Sequence, residues 1–201
     1  MNLAQNRVLA DVFLPSQGQA RLIKQALLVL AGVAAMAVAA KIKFPMWPVP
    51  ATMQTFVLLT IGASYGLRLS VLTLAGYLAI GLLGFDVFAS SSAANAGWAY
   101  MVGATGGYLL GFVVAAATMG ALAARGWDRS FKTSLPMMLI GLAIVYGFGL
   151  SWMAYLFADT KGAAWVLQWG LINFLPFEVL KIALAAALFP TLWKWLGDLR
   201  G

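Results

Sequence analysis

The sequence Pro-Val-Pro-Ala-Thr-Met-Gln-Thr at residues 48–55 lies between two apolar segments. Each proline fixes its own φ angle and favours extended geometry in the residue before it, so the preceding helix cannot continue through this stretch. Thr52, Gln54 and Thr55 then place hydroxyl and amide groups where the next apolar run begins, and such groups need partners. A loop that only joins two spans requires neither stiffness nor polarity, so residues 48–55 are predicted to form a stiff, polar crossing.

Composition indicates that the chain is a membrane protein. Of its 201 residues, 63% are apolar and 9% are charged, and the mean hydropathy is +0.89, whereas soluble domains carry about 25% charged residues. The sequence contains no cysteine and no histidine, which excludes disulfides, thiol nucleophiles, imidazole bases and most transition-metal sites. No metal site is predicted. The net charge of +7 is attributed to membrane topology and not to nucleic-acid binding, because the basic residues flank apolar runs.

Six apolar segments predict an all-α integral membrane protein with six transmembrane helices in a single membrane domain over residues 1–201. The predicted spans cover approximately residues 25–40, 53–65, 69–83, 104–124, 135–157 and 165–195. Residues 1–24 are predicted to be an interfacial amphipathic segment. The alternative of a signal peptide cleaved after residues 37–39 is disfavoured, because five more apolar segments follow.

The distribution of lysine and arginine predicts the orientation. With the N-terminus inside, nine basic residues fall on the inner side and only Lys41, Lys43 and Lys161 fall outside, so both termini are predicted to be cytoplasmic. The inner residues are Arg7, Arg21, Lys24, Arg68, Arg125, Arg129, Lys132, Lys194 and Arg200. Residues 48–55 and the polar loop at residues 86–100 then share the outer face.

Glu178 and Lys181 are ionisable residues inside the last apolar segment, three positions apart and therefore on one side of a helix. A lysine at the centre of a span costs about 2.5 to 3.5 kcal/mol, so such residues usually mark a pathway or a ligand site. Pro176 is expected to weaken the helix beside them. The alternative is a self-neutralising pair that only fixes helix packing.

Two outer segments offer further candidate binding groups. Asn95, Trp98 and Tyr100 provide an amide and aromatic walls, although aromatic residues at span ends also serve as membrane anchors. Residues 103–108 form a glycine-rich turn that predicts backbone amides at a helix N-terminus, where an anion is favoured. Glycine in this turn is equally compatible with close helix packing.

Three small residues in the first span, Ala31, Ala35 and Ala39, are spaced four apart. This spacing places them on one helical face, which lets another helix approach closely. An alanine-rich span without a partner gives the same pattern, so spacing alone leaves both interpretations open.

Taken together, these motifs resemble the BioY family, the biotin-specific membrane subunits of energy-coupling-factor (ECF) transporters. Residues 48–55 match the family pattern Pro-Val-Pro-x-Thr-x-Gln-Thr, and residues 86–89 loosely match a second loop. Residues 103–112 are similar to Gly-Pro-Thr-Gly-Gly-Tyr-Leu-x-Gly-Phe, and residues 176–181 to a Pro-x-Asp-x-x-Lys box.

The chain departs from the family patterns at four positions. Ala104 replaces a proline, Ser90 and Ser91 stand where glycines are common, and Glu178 replaces an aspartate. The last change places the carboxylate one methylene further from the helix backbone.

The resemblance implies a six-helix protein of the bacterial inner membrane that captures biotin on the outer face. Biotin is then the transported ligand and not a cofactor, and no cofactor is expected. The implied binding residues are Gln54, Asn95, Trp98, Tyr100, Thr105, Gly106, Gly107, Tyr108, Glu178 and Lys181. The implied lid residues are Pro48, Pro50 and Thr52.

The resemblance also implies partners. Ala31, Ala35 and Ala39 would dock a transmembrane coupling protein that is driven by two ATPase subunits. The sequence has no phosphate-binding loop motif, so the chain itself is not expected to hydrolyse ATP by that route, and it is not predicted to be an enzyme.

Other functions remain open from sequence. These are a solo carrier, a binding subunit for another small anionic vitamin, a structural membrane subunit, and an intramembrane enzyme that uses Glu178 or Asp86 as a base.

Overall fold

The computed structural model describes residues 8–13, 17–92 and 94–198, and most of these residues are helical. The helices are α1 (Leu9–Phe13), α2 (Gln19–Lys41), α3 (Gln54–Leu82), α4 (Gly97–Met101), α5 (Gly106–Ala124), α6 (Phe131–Lys161), α7 (Ala163–Gly170) and α8 (Leu175–Asp198). Two short antiparallel strands, β1 (Lys43–Phe44) and β2 (Ala51–Thr52), form a hairpin between α2 and α3.

Five helical stretches in the described part of the chain are long and apolar enough to cross a membrane. They are Gln19–Lys41, Gln54–Leu82, Gly106–Ala124, Phe131–Lys161 and Ala163–Leu196. This agrees with the predicted helical membrane protein. These stretches do not test the predicted count of six, because the second and third predicted spans, residues 53–65 and 69–83, both fall within α3.

Gly66 interrupts α3 between the two predicted spans. Its φ of 73° and ψ of 177° are non-helical, and glycine adopts this conformation without the steric cost that a side chain imposes. Helix α5 packs closely here, because a Cβ built on Gly120 would lie 2.4 Å from the backbone nitrogen of Leu67. The break therefore separates α3 into two helical halves that pack against α5.

The N-terminal segment packs partly on the bundle. Val8 and Ala10 are buried, and Val8 lies over Gly66, where a Cβ would be 3.2 Å from its side chain. This part of the predicted interfacial segment therefore contacts protein. Helix α2 also begins at Gln19, six residues before the predicted span, because residues 19–24 continue its helix. Residues 1–7 and 14–16 lie outside the described residues.

The last predicted span, residues 165–195, is divided into α7, a 3₁₀ turn at Ile172–Phe174 and α8. Leu171 ends α7 with a non-helical φ of −138°. Pro176 occupies the first turn of α8, where no backbone N–H is needed for the helix. Pro176 is expected to weaken the helix locally; it stands at the start of α8, directly after the interruption.

The hairpin after α2 agrees with the predicted stop of the first helix. Helix α2 ends at Lys41, and Lys43 pairs with Thr52 across the two strands. The prolines lie at the tip and on the returning arm of this hairpin, where they need donate no ladder hydrogen bond. The hairpin thus folds back over the end of the bundle and brings Thr52 to the start of α3.

Candidate ligand site

Glu178 and Lys181 lie on the first turns of α8 and form a buried ion pair, with 2% and 5% of their surfaces exposed. The Lys181 ammonium group donates to Glu178 Oε1 at 2.5 Å, to Thr55 Oγ1 at 2.6 Å and to the Thr52 carbonyl at 2.9 Å. A lysine has three N–H donors, so these contacts use all of them. The ion pair is thereby joined to the hairpin and to α3.

The two carboxylate oxygens of Glu178 have different surroundings. Oε1 also accepts from the Thr55 hydroxyl at 3.1 Å and from the Tyr146 hydroxyl at 3.2 Å. Oε2 is buried and has no hydrogen-bond partner among the described residues. Buried polar atoms are normally satisfied, so Oε2 is an acceptor suited to an N–H or O–H donor of a bound molecule.

A cavity with a volume of about 50 Å³ adjoins Glu178 and is walled mainly by apolar and aromatic side chains. Its lining residues are Val49, Pro50, Thr52, Gln54, Thr55, Phe88, Ala89, Tyr100, Thr105, Tyr108, Leu109, Phe112, Val145, Tyr146, Phe174 and Glu178. Apolar walls with a few convergent polar groups are typical of small-molecule sites, which usually measure about 300 to 1,000 Å³. The walls must therefore move apart to admit a vitamin-sized ligand.

The hairpin forms one wall of the cavity. Val49 and Pro50 are buried and line the cavity, as does Thr52. Of the three predicted lid residues, Pro50 and Thr52 therefore line the cavity. Pro48 is half-buried and does not line it. Because the Thr52 carbonyl is bonded to Lys181, the position of this wall depends directly on the ion pair.

The loop after α3 forms the opposing wall and is tied to the hairpin region by two lysines. Lys41 donates to Asp86 at 2.7 Å and to the Phe88 carbonyl at 2.8 Å, and Lys43 donates to the Ala89 carbonyl at 2.6 Å. The hydrogen bond from Lys41 lowers the pKa of Asp86, with smaller contributions from Ser91 and from the charges of both lysines. These contacts hold Phe88 and Ala89 against the cavity.

Gln54 joins the start of α3 to the same loop. Its amide nitrogen donates to the Tyr77 hydroxyl at 2.8 Å, and Tyr77 donates to the Val87 carbonyl at 3.0 Å. Phe88 meets Tyr77 edge-on and stacks on Tyr100 at 4.9 Å between ring centres. The motif residue Gln54 therefore lines the cavity and also supports its second wall.

The structure brings six of the ten sequence-predicted binding residues together. Five line the cavity, and Lys181 lies next to it through Glu178; the five are Gln54, Tyr100, Thr105, Tyr108 and Glu178. Asn95 and Trp98 do not line the cavity. Both are exposed, and Trp98 has 68% of its surface accessible, which fits the membrane-anchor alternative for this tryptophan.

Gly106 and Gly107 pack against neighbouring elements and do not line the cavity. A Cβ on Gly106 would lie 2.1 Å from the Met101 carbonyl, and one on Gly107 would lie 2.3 Å from the Cβ of Trp152. Trp152 in turn donates its indole N–H to the Gly103 carbonyl at 2.8 Å. The glycines allow α5 to approach α6 closely, as in the packing alternative.

Sequence reasoning missed several lining residues, above all Tyr146 and Phe88. Tyr146 is a hydroxyl-bearing residue within an apolar span, and a search for isolated polar groups inside spans could have found it. Phe88 lies within residues 86–89, whose loose match to a second family loop could have pointed to it, although a phenylalanine in an apolar chain is usually part of the core.

The small-residue face of α2 is only partly exposed. Ala31 and Ala35 are exposed, whereas Ala39 is buried with 2% of its surface accessible. Each step of four residues shifts the side-chain direction by about 40° around the helix axis. The three alanines therefore turn gradually from the exposed side of α2 toward the bundle. Docking through Ala31, Ala35 and Ala39 stays a prediction.

In the described part of the chain, no three acidic residues cluster to hold a metal ion.

Comparison with known proteins supplies independent information. Residues 9–198 match the model of the BioY family. The chain is 34% identical over 161 residues to the biotin transporter BioY of Thermotoga maritima, covering 79% of this chain and 90% of that protein. It is 35% identical over 162 residues to the probable biotin transporter BioY of Pyrococcus horikoshii, covering 81% and 91%.

A third relative and a solved structure agree with these matches. The probable biotin transporter BioY of Rickettsia prowazekii is 32% identical over 161 residues, covering 80% of this chain and 79% of that protein. The fold is similar to that of the S-component for biotin from an ECF-type ABC transporter, with a TM-score of 0.71, 20% identity, and 89% and 95% of the two chains covered. The resemblance found in the sequence motifs is confirmed, and the chain belongs to the BioY family.

Proposed function

We propose that the protein is the biotin-binding S component of an ECF transporter, a transport protein and not an enzyme. The observation that carries this proposal is the unpartnered Oε2 of Glu178, buried beside a cavity with aromatic walls. Family membership and the names of the relatives support biotin as the ligand. Biotin acts as the transported molecule, and no cofactor is required.

The polar and aromatic groups of the site fit the ring system of biotin. Biotin offers two ureido N–H donors, and Glu178 Oε2 accepts one of them. Lys181 neutralises Glu178 and positions Thr55, because its three donors are already used within the protein. Tyr108, Tyr100 and Phe88 then contact the apolar ring system. Asn95 and Trp98 would reach the ligand only if the loop that carries them moved inward.

The proposed topology has six crossings of the bacterial inner membrane, with both termini in the cytoplasm. The two halves of α3 on either side of Gly66 count as separate crossings, and the charge bias of the loops sets the direction. The hairpin and the loop after α3 then face outward, where biotin enters. The exposed Ala31 and Ala35 contribute to docking of the transmembrane coupling protein, and two ATPase subunits supply the energy.

The proposal is tested by measuring biotin binding to the purified protein and to Glu178→Gln. Loss of a hydrogen bond to a charged acceptor costs about 1.5 to 3 kcal/mol, which corresponds to an affinity about 10- to 100-fold lower. Asp159→Asn is the matched control, since it makes the same acid-to-amide change at an exposed residue of α6. The control is expected to bind biotin normally.

Three outcomes contradict the proposal. Unchanged biotin affinity in both Glu178→Gln and Lys181→Met would show that the ion pair is not part of the binding site. If another anionic vitamin binds more strongly in competition with labelled biotin, that vitamin and not biotin is the substrate. Uptake by cells that lack the coupling protein and ATPases would instead indicate a solo carrier.

A further inference from the structure

The outer rim of the cavity carries two lysines, Lys41 and Lys43, whose side chains reach across to the loop after α3. Lys43 donates to the carbonyl of Ala89, a lining residue, at 2.6 Å. Its strand partner Thr52 also lines the cavity. Directly paired residues of antiparallel strands project from the same face, so Lys43 and Thr52 share one face of the hairpin. Lys43 does not itself line the cavity, but its ammonium group contacts the lining residue Ala89.

The charges of the two lysines are balanced differently. Lys41 forms an ion pair with Asp86 at 2.7 Å. Among the described residues, no carboxylate lies within ion-pair distance of Lys43. At the base of the site the charges of Glu178 and Lys181 cancel. The site therefore has one uncompensated positive charge, and it is located at the rim on Lys43.

Lys43 also retains donors for a ligand. Its ammonium group has three N–H donors, and its one hydrogen bond within the described part of the chain is to the Ala89 carbonyl. It can therefore contact an anion without releasing the loop. The backbone amides of Gly106 and Gly107, the other anion site suggested by the sequence, lie away from the cavity beside Trp152.

We propose that Lys43 binds the carboxylate of biotin at the outer rim of the cavity. This assignment rests on the proposed function, because it takes the ureido ring to lie at Glu178. The carboxylate is at the opposite end of the molecule from that ring and so extends toward the rim. One negative charge on the ligand then meets the one uncompensated positive charge of the site.

The test compares biotin with biotin methyl ester, which keeps the rings and the chain but has no charge. Both affinities are measured on the purified wild-type protein and on Lys43→Gln. We expect Lys43→Gln to lower the affinity for biotin about fivefold to tenfold, as for loss of one partly exposed charge-assisted hydrogen bond. The affinity for the ester should fall by a clearly smaller factor, because the ester loses only the effect of the anchoring contact to Ala89. Lys43→Arg should restore most of the difference between the two ligands.

Two further variants separate charge recognition from loop anchoring. Lys161→Gln removes another exposed outer lysine, at the end of α6, and should leave both affinities unchanged. Lys41→Gln removes the contacts to Asp86 and Phe88, and should weaken biotin and its ester equally because it loosens the wall.

The outcomes distinguish this assignment from the function on which it rests. An equal loss of both ligands in Lys43→Gln would show that Lys43 only anchors the loop, and an unchanged biotin affinity would show that it does not contact the carboxylate. Either result overturns the assignment alone, with biotin binding by the wild-type protein intact. A wild-type protein that binds neither ligand overturns the proposed function, and this assignment with it.

Discussion

Glu178 and Asp128 are two buried carboxylates in different regions of the molecule, and their local hydrogen bonding is similar. Their side chains are almost inaccessible, with 2% and 0% of the residue surface exposed. Each has one oxygen with partners and one buried oxygen without a partner among the described residues. Asp128 Oδ2 accepts from the indole N–H of Trp193 at 2.5 Å. Viewed as isolated side chains, both are candidate ligand acceptors.

Their surroundings differ in access and in charge. Glu178 lines a cavity, is bonded directly to Lys181, and faces a hairpin wall that is itself attached to the ion pair. Asp128 does not line that cavity and lies in the short turn between α5 and α6. It is packed beside Trp193, with the Arg129 guanidinium 4.0 Å from the centre of the indole ring. An unpartnered carboxylate oxygen therefore indicates a ligand site only where a cavity gives access to it.

The largest expected effect comes from Lys181→Met. Removing one partner of a buried ion pair leaves an uncompensated charge and costs about 3 to 5 kcal/mol, so the variant should unfold at a markedly lower temperature in detergent. The double variant Glu178→Gln with Lys181→Met removes the stranded charge and should recover most of the lost stability. It should still fail to bind biotin, because the acceptor is gone. A double variant as unstable as Lys181→Met would show that packing, and not charge, holds α8 in place.

The sequence was sufficient to predict the Glu178 site in outline. Two ionisable residues three apart in an apolar segment must share a helix face, and the cost of burying them requires a compensating environment. The prolines of residues 48–55 likewise indicated a stiff turn next to the site. These features depend on local geometry, which spacing and residue type determine.

Other parts of the site depend on contacts between distant segments, which residue type and spacing do not specify. Tyr146 reaches Glu178 from another helix, 32 positions away, and the carbonyl of Thr52 reaches Lys181 across 129 positions. A backbone carbonyl has no signature in the sequence. The exposure of Trp98 and the close packing of Gly107 were each one of two alternatives, and only tertiary structure distinguishes between them.

A smaller effect is expected from Asp128→Asn, which tests the second carboxylate. Burial raises the pKa of Asp128 above its ordinary value of 3.8, although the hydrogen bond from Trp193 and the charge of Arg129 lower it. The folded state therefore binds the proton more tightly than the unfolded state does. The stability that this group contributes is fully present below the ordinary pKa and is lost as the pH rises through the folded-state value.

Asp128→Asn removes this titration and can still accept from Trp193. Relative to the wild type, the variant should gain stability as the pH rises from about 4 to about 7, as measured by thermal unfolding at both pH values. Biotin affinity should be unchanged within twofold. A large loss of biotin affinity would mean that the two carboxylates are functionally linked and that access is not what separates them.

The smallest effect is expected from Pro50→Ala, which makes the hairpin wall beside Glu178 less rigid. Within the part of the chain that the structure describes, Asp128 has no such wall. A proline in a compatible turn stabilises the ordered form by about 0.4 to 1 kcal/mol, mainly by restricting the alternatives. Its loss should therefore make labelled biotin leave the purified protein about two to five times faster. Pro45→Ala is the matched control, because Pro45 lies on the same hairpin but is exposed and does not line the cavity. If wild type and both variants release biotin at the same rate, the hairpin is only a connector, and the difference between the two carboxylates must come from Lys181 alone.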